Sequence, residues 1–331
     1  MNRPTNGSTV SAADVSAAPD VSVVVPTHNR CQLLALTLRT ILWQRDADLE
    51  VVVVDDGSSD PDVAAQVIAD SADDRVVLVR NAVPAGVSAA RNRGIATARG
   101  SWLAFCDDDD LWAPDKLALQ LAAARTTGRG WVYTGAVKID LQQRVIGGIP
   151  PPTPEEALAR LPHANPLPGG CSGVLASAAV LREAGGFDSE LVNLADWDLW
   201  MRLAATGPPA FVPRPLVGYR IHPHNASADT ALILAEARSL NRRYGSDIDY
   251  GALYHYLAWV YLRSGRGWSS LRYYALAAAH GTIGAPVADL WWKLRQRIRV
   301  EGFDLPNERR RRAQRAEWRA ASEAWLRLLT P

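Results

Sequence analysis

The sequence predicts an α/β fold, a mostly parallel sheet flanked by helices, extended by an α-helical C-terminal region. Three observations predict it. Over residues 21–140, short apolar runs rich in β-branched residues alternate with amphipathic helical patterns, the order that places crossover helices between parallel strands. Polar clusters follow the ends of three of those runs, where open α/β sheets gather ligands. From residue 228 onward the strand signals stop and the chain reads as helical.

The elements follow in order. Val21-Ser-Val-Val-Val25 is a buried strand closed by Pro26, and Leu33, Leu34, Leu38, Ile41 and Leu42 mark the next helix. Leu49 to Val54 is a second strand that breaks off at Asp55-Asp56-Gly57-Ser58. Asp60-Pro61 opens a helix to Asp70, with proline in the first turn, where its missing N–H costs nothing. Val76 to Val79 is a third strand, and Val87 to Arg99 a helix between Gly86 and Gly100, the second glycine read as a C-terminal cap. Trp102 to Cys106 is a fourth strand ending in four aspartates, and Pro114 starts a helix through Leu117, Leu119 and Leu121. Residues 147–170, with many Pro and Gly, predict an irregular loop over the ligand-binding rim. Helices near 177–184 and over Asp196–Ala205, and strands near 210–213 and 216–221, complete the α/β part. Residues 1–20 read as a disordered leader, 21–227 as the α/β domain and 228–331 as the helical region, with no internal repeat.

Composition narrows the function classes. The 331 residues are 48% apolar and 21% charged, ordinary for a folded protein, and a net charge of +1 gives no reason to expect nucleic acid as a partner. Cys31, Cys106 and Cys171 are odd in number and widely spaced, which argues against a disulfide framework or structural zinc and fits a reducing cytosol. No signal peptide and no apolar run of about 18 residues is present, so the expected location is cytoplasmic.

Two clusters carry chemistry. Four adjacent carboxylates, Asp107 to Asp110, repel one another at the end of an apolar strand, and partial burial raises their pKa values. A hard divalent cation, Mn²⁺ or Mg²⁺, relieves that repulsion and shares oxygen ligands with substrate phosphates. The alternative is a solvated acidic turn before the Pro114 helix. Asp56 stands where a carboxylate could accept from a nucleobase N–H or ribose hydroxyls, although Asp-Gly-Ser is also an ordinary turn.

Five stretches then form a set. Val24-Val-Pro-Thr-His-Asn-Arg30, Val52-Val-Val-Asp-Asp-Gly-Ser-Ser-Asp60, Gly86-Val-Ser-Ala-Ala-Arg-Asn-Arg-Gly94, Phe105-Cys-Asp-Asp-Asp-Asp-Leu-Trp-Ala-Pro-Asp-Lys116 and Ala195-Asp-Trp-Asp-Leu-Trp-Met-Arg-Leu203 resemble, in this order, the family 2 glycosyltransferases of the GT-A fold over roughly residues 21–227. The resemblance implies a Rossmann-like sheet with a nucleotide-binding half over about 21–140 and an acceptor half over about 141–227. It also implies inverting, metal-assisted transfer of a sugar from a nucleotide-diphosphate donor to an acceptor hydroxyl. UDP-sugars are favoured over dTDP- or GDP-sugars, with a glycan, a lipid-linked sugar or a small molecule as acceptor.

Residue by residue, the resemblance puts Pro26, Thr27, His28 and Arg30 at the base and ribose, and Asp56 on a uracil-like edge. Arg91 and Asp108 join the nucleotide site, and Asp110 faces the donor sugar. Asp109 is the direct metal ligand, Asp107 lies nearer the ribose or the metal's waters, and His222 reaches metal or diphosphate. Asp196 matches the general base that takes the acceptor's proton; a simple helix cap is its bland alternative. Asp198 then reads as helix surface, Trp197 as an acceptor platform, Trp200 as core and His224 as solvent-facing. Two positions depart from the family: His28 replaces a Tyr or Phe, which leaves base preference open, and Ala195 replaces a Glu.

Residues 293–319 hold ten Lys or Arg against four acids, with Trp291, Trp292, Leu294 and Ile298 beside them. Such a segment fits packing on the catalytic domain, a homodimer contact, or an anionic inner-membrane surface. Two other classes stay in view: a catalytically silent sugar-nucleotide-binding scaffold, and a different metal–phosphate enzyme. The second calls for a Gly-rich Lys loop, which the sequence lacks.

Overall fold

The computed structural model describes residues 18–222, 229–282 and 308–329. Four parallel strands lead, in the spatial order β3 (Val76–Arg80), β2 (Leu49–Asp55), β1 (Val21–Thr27) and β4 (Trp102–Phe105). β1 and β2 are apolar at almost every position and buried throughout, as strands covered on both faces must be. Beyond β4 the sheet becomes mixed: β8 (Val174–Ser177), β6 (Trp131–Ile139), β9 (Ala210–Arg220) and β5 (Leu111–Trp112) follow, and β7 (Val145–Ile149) also pairs with β6.

Helices cover both faces. On one, α1 (Cys31–Leu42) and α4 (Lys116–Thr127) bring Leu34, Leu38, Ile41, Leu117 and Leu121 against Val23, Val25, Val51 and Val53, with α2 (Pro61–Ser71) at the margin. On the other, α3 (Val87–Thr97), α6 (Ala178–Ala184), α7 (Ala195–Thr206) and α8 (Thr230–Tyr244) pack over Val24, Val52, Phe105 and Tyr133. Each fully buried aliphatic side chain contributes roughly 1.5–3 kcal/mol, so these two layers hold the strands rigidly. Gly94 lets α3 lie directly on β1: a Cβ there would stand 2.2 Å from Val24 Cγ1.

Several boundaries differ from the sequence reading. α3 ends at Thr97, and Gly100 does not cap it; its N–H donates to Ser22 Oγ at 2.7 Å, where the loop presses on β1. Within 147–170 lies a short helix, α5 (Pro154–Arg160), closed by a reciprocal capping box between Thr153 and Glu156. The two strands expected near 210–221 are one, β9, with register shifts against β6 at the level of Pro215, where proline offers no N–H to the ladder. β6 and β8 form without having been anticipated.

The later chain continues as α9 (Tyr250–Arg263), α10 (Gly267–Ala279) and α11 (Glu308–Leu326). α11 returns to the sheet. Trp325 donates its indole N–H to the Pro215 carbonyl at 3.2 Å, and Trp325, Leu326 and Leu329 join a cluster with Val137, Ile139, Val212 and Leu216. The segment 283–307, with Trp291, Trp292 and half of the basic stretch, lies outside the described residues, as does His224. Among the described residues no helix is long and apolar enough to cross a membrane. All three cysteines are free and buried.

Candidate active site

Parallel register puts the first functional residues side by side. Thr27 pairs with Asp55, and Val24 with Phe105, so the residues following β1, β2 and β4 emerge at one rim. There His28 donates from Nδ1 to the Asp56 carbonyl at 2.8 Å. The Asp56 carboxylate accepts from Asn81 Nδ2 at 2.6 Å, from the Ala85 N–H at 3.0 and 3.1 Å, and from the Gly86 N–H at 2.8 Å. Asp56 thus anchors the loop that leads into α3, and a nucleobase N–H would share oxygens already in use.

The four aspartates divide by parity. Asp107 and Asp109 line a cavity of about 590 Å³, together with Pro26, Thr27, His28, Arg30, Asp56 and Arg91. Asp108 and Asp110 have no exposure and lie beneath it. Asp108 accepts from Thr27 Oγ1 at 2.7 Å and pairs with Arg30 at 2.7 Å. Burial, opposed by Arg30 and reinforced by Asp109, pushes its pKa up to about 7. Asp110 accepts from Ser172 Oγ at 2.6 Å and from the Arg220 N–H at 2.9 Å, and burial holds its pKa well above the usual range. The expectation that Asp108 and Asp110 meet the donor directly therefore gives way to a supporting position: the turn after β4 aims Asp107 and Asp109 at the cavity and buries the other two.

The turn is clamped from behind. Thr37 on α1 shares its hydroxyl between the carbonyls of Asp108 and Asp110, at 3.0 and 2.9 Å. Arg220, at the end of β9, donates from Nε to the Asp109 carbonyl at 2.6 Å. Nitrogen groups meet the two outward carboxylates: Arg91 contacts Asp107 at 2.6 Å, while Arg30 and the His222 imidazole reach Asp109 at 3.2 and 2.8 Å. Carboxylate oxygens of Asp107, Asp109 and Asp110 lie within 4.8 Å of one another. An all-oxygen set with an imidazole beside it fits a hard or borderline divalent cation, and the two cavity-facing members leave room for phosphate oxygens.

Asp196, in the first turn of α7, lines the same cavity. Its Oδ1 accepts from the Trp197 N–H at 2.7 Å and its Oδ2 from Asn165 Nδ2 at 3.1 Å. Burial raises its pKa to about 6, with the Trp197 N–H and Arg91 pulling it down and Asp107 adding to the rise. Asp56, Asp107, Asp109 and Asp196, from three separate stretches of chain, surround one space. The rest of the wall is more apolar: Leu167, Leu194, Ile233, Ile248, Ala252, Leu253 and Tyr256.

Two neighbours of Asp196 differ from expectation. Asp198 is not helix surface. It has no exposure, its Oδ1 accepts from Arg243 Nη1 at 2.9 Å and Tyr244 Oη at 2.6 Å, and Arg202 holds Oδ2. Trp197 is 3% exposed, with its indole N–H tied to the Leu161 carbonyl at 2.7 Å, so it builds the wall and offers no open platform. Trp200 stacks on Trp131 in the core, as anticipated.

Comparison with known proteins shows what the chain resembles. Residues 22–179 match the model of glycosyl transferase family 2. These residues, just under half of the chain, form a glycosyl transferase family 2 domain. An uncharacterized glycosyltransferase of Haemophilus influenzae is 28% identical over 216 residues, covering 63% of this chain and 71% of that protein. The succinoglycan biosynthesis protein ExoO of Rhizobium meliloti is 35% identical over 152 residues, or 45% of this chain and 41% of ExoO. WfgD of Escherichia coli, a UDP-Glc:alpha-D-GlcNAc-diphosphoundecaprenol beta-1,3-glucosyltransferase, is 30% identical over 127 residues, or 38% of this chain and 49% of WfgD. Among solved structures, TarS residues 1–349 from S. aureus in complex with UDP-GlcNAc superposes with a TM-score of 0.55 at 17% identity, over 73% of this chain and 71% of that one, a likeness of fold. The sequence-derived site residues other than Asp108, Asp110 and His222 all line this cavity, and His222 stands against Asp109. Asn165, Ser172, Arg220, Glu236 and Arg243 had no local signal, because their partners are far away in sequence.

Proposed function

We propose that this glycosyltransferase moves a sugar from a nucleoside-diphosphate donor, UDP-linked by preference, to an acceptor hydroxyl with inversion at the anomeric carbon. One observation carries the reading: Asp196 borders the same cavity as Asp56, Asp107 and Asp109. Pro26, Thr27, His28, Arg30, Asp56 and Arg91 form the nucleotide end. Asp109 and Asp107, with His222 behind, would hold Mn²⁺ or Mg²⁺, which when bound supplies positive charge against the diphosphate. Asp196 takes the proton of the acceptor hydroxyl while that oxygen bonds to the anomeric carbon and the bond to the diphosphate breaks. A carboxylate pKa near 6 suits this task, since the group is ionised at neutral pH yet still basic. A single base and direct displacement require no covalent intermediate.

The acceptor enters from the side of α8 and α9, where Ile233, Ala252, Leu253 and Tyr256 supply an apolar wall suited to the body of a sugar or an aglycone. The enzyme works in the cytoplasm, with its acceptor presented in solution or at the inner membrane surface. The test is thermal shift against UDP-, dTDP- and GDP-sugars with and without Mn²⁺. A metal-dependent stabilisation by one sugar-nucleotide class is expected; equal shifts with and without metal, or none, would overturn the metal-assisted reading. A silent scaffold would show that shift without release of nucleoside diphosphate.

A further inference from the structure

Helix α7 carries Asp196 but has no side-chain cap of its own; its N-cap residue is Leu194. The N–H groups leading into it instead converge on one side chain from α8. Glu236 Oε1 accepts from the Val192 N–H at 2.8 Å, and Oε2 from the N–H groups of Asn193 at 2.9 Å and Leu194 at 2.8 Å. Glu236 is 4% exposed, so this carboxylate is stabilised by those donors in place of water. The same α8 grips α7 a second time, through Arg243 and Tyr244 on the buried Asp198. Glu236 thus holds the segment entering α7, and Arg243 and Tyr244 hold Asp198, two residues after Asp196. Val192 to Asp196 all line the cavity, so the segment fixed by Glu236 is the wall that ends in Asp196.

We propose that Glu236 is a positioning residue for the base: its three hydrogen bonds set the entry angle of α7 and thereby the place of Asp196 against the acceptor hydroxyl. The proposal rests on Asp196 being the base. The family model matches residues 22–179, so α7 with Asp196 and the α8 that holds it both lie beyond the matched residues. Losing Glu236 leaves three N–H groups competing for water or for another acceptor. A displacement of the reacting group by about 1 Å costs roughly 10²-fold in rate.

The experiment uses the full chain with UDP-, dTDP- and GDP-glucose and UDP-N-acetylglucosamine, reading nucleoside diphosphate release. Glu236→Gln keeps the side chain's shape but turns an amide NH₂ toward the N–H donors. It is expected to lower kcat by about 10- to 100-fold with donor KM changed less than twofold. In an Asp196→Asn background the same substitution should lower kcat no further, because the residue it positions is already disabled. Leu240→Ala, which removes a core contact on α8 away from the cavity, controls for stability: it should lower Tm and retain kcat below the transition. The proposal is overturned if Glu236→Gln costs no more kcat than Leu240→Ala at equal folded fraction, or if its effect is undiminished in the Asp196→Asn background. Unchanged turnover in Asp196→Asn alone, or no turnover of any of these donors by the parent, would remove the base itself, a failure distinguishable from that of Glu236. If Glu236→Gln does not fold, Glu236→Asp, with a shorter reach to the same donors, carries the same readouts.

Discussion

The proposed donor side and the proposed base side of the cavity are built by different means. On the donor side, Thr27, His28, Asp56, Asp107 and Asp109 directly follow three adjacent parallel strands, and strand register alone brings them together. On the base side, Asp196 begins a helix whose placement depends on Asn165 beyond α5 and on Glu236, Arg243 and Tyr244 of α8. Hydrogen-bonded ladders fix neighbours to within an ångström, whereas a docked helix is placed by a few buried polar contacts and the packing around them. The proposed donor contacts therefore follow from the sheet, while the placement of Asp196 depends on later parts of the chain.

Substitutions on each side should separate the two. Asp196→Asn should lower kcat by about 10²–10⁴-fold, the range for losing a general base, while metal-dependent donor binding stays intact. Equal loss of donor affinity would merge the two sides and break the comparison. Trp325→Ala removes a buried indole from the contact between α11 and β9 and should cost about 3–5 kcal/mol of stability by denaturant titration. A loss under about 1 kcal/mol would show that α11 is not integral to the fold. Asp109→Ala should abolish the Mn²⁺-dependent part of donor-induced stabilisation, about 2.7 kcal/mol at a hundredfold excess over Kd. The smallest effect is pH dependence. Burial raises the Asp196 pKa, so the carboxylate becomes protonated and the base is lost as pH falls through about 6. Turnover should drop about tenfold per unit below that value, and Asp196→Asn should lack this limb.

The first four strands and their helices were legible because continuous β-branched runs such as Leu49 to Val54 have one stable use, a strand buried on both faces. β6 was not read as a strand, although Trp131-Val-Tyr-Thr is typical of one. Gly135 interrupts the run, and the structure explains it: Trp318 of α11 packs there, and a Cβ would stand 2.1 Å from its ring. Asp198 shows the opposite failure. On an amphipathic helix it looks like surface, and partners 45 and 46 residues away join Arg202 in making its burial tolerable. The division of the aspartates was likewise hidden, since four identical residues carry no mark of which pair faces outward.

The amino-acid order by itself pointed to the family and determined the parallel half of the sheet and the polar clusters at its rim, because strand propensity, apolar runs and short polar stretches after strands are local properties. Tertiary structure alone decided that Asp107 and Asp109 face the cavity over Asp108 and Asp110, that Trp197 is wall, and that α8 holds the helix bearing Asp196. Those outcomes depend on which distant groups desolvate one another, and burial is a property of the folded chain as a whole.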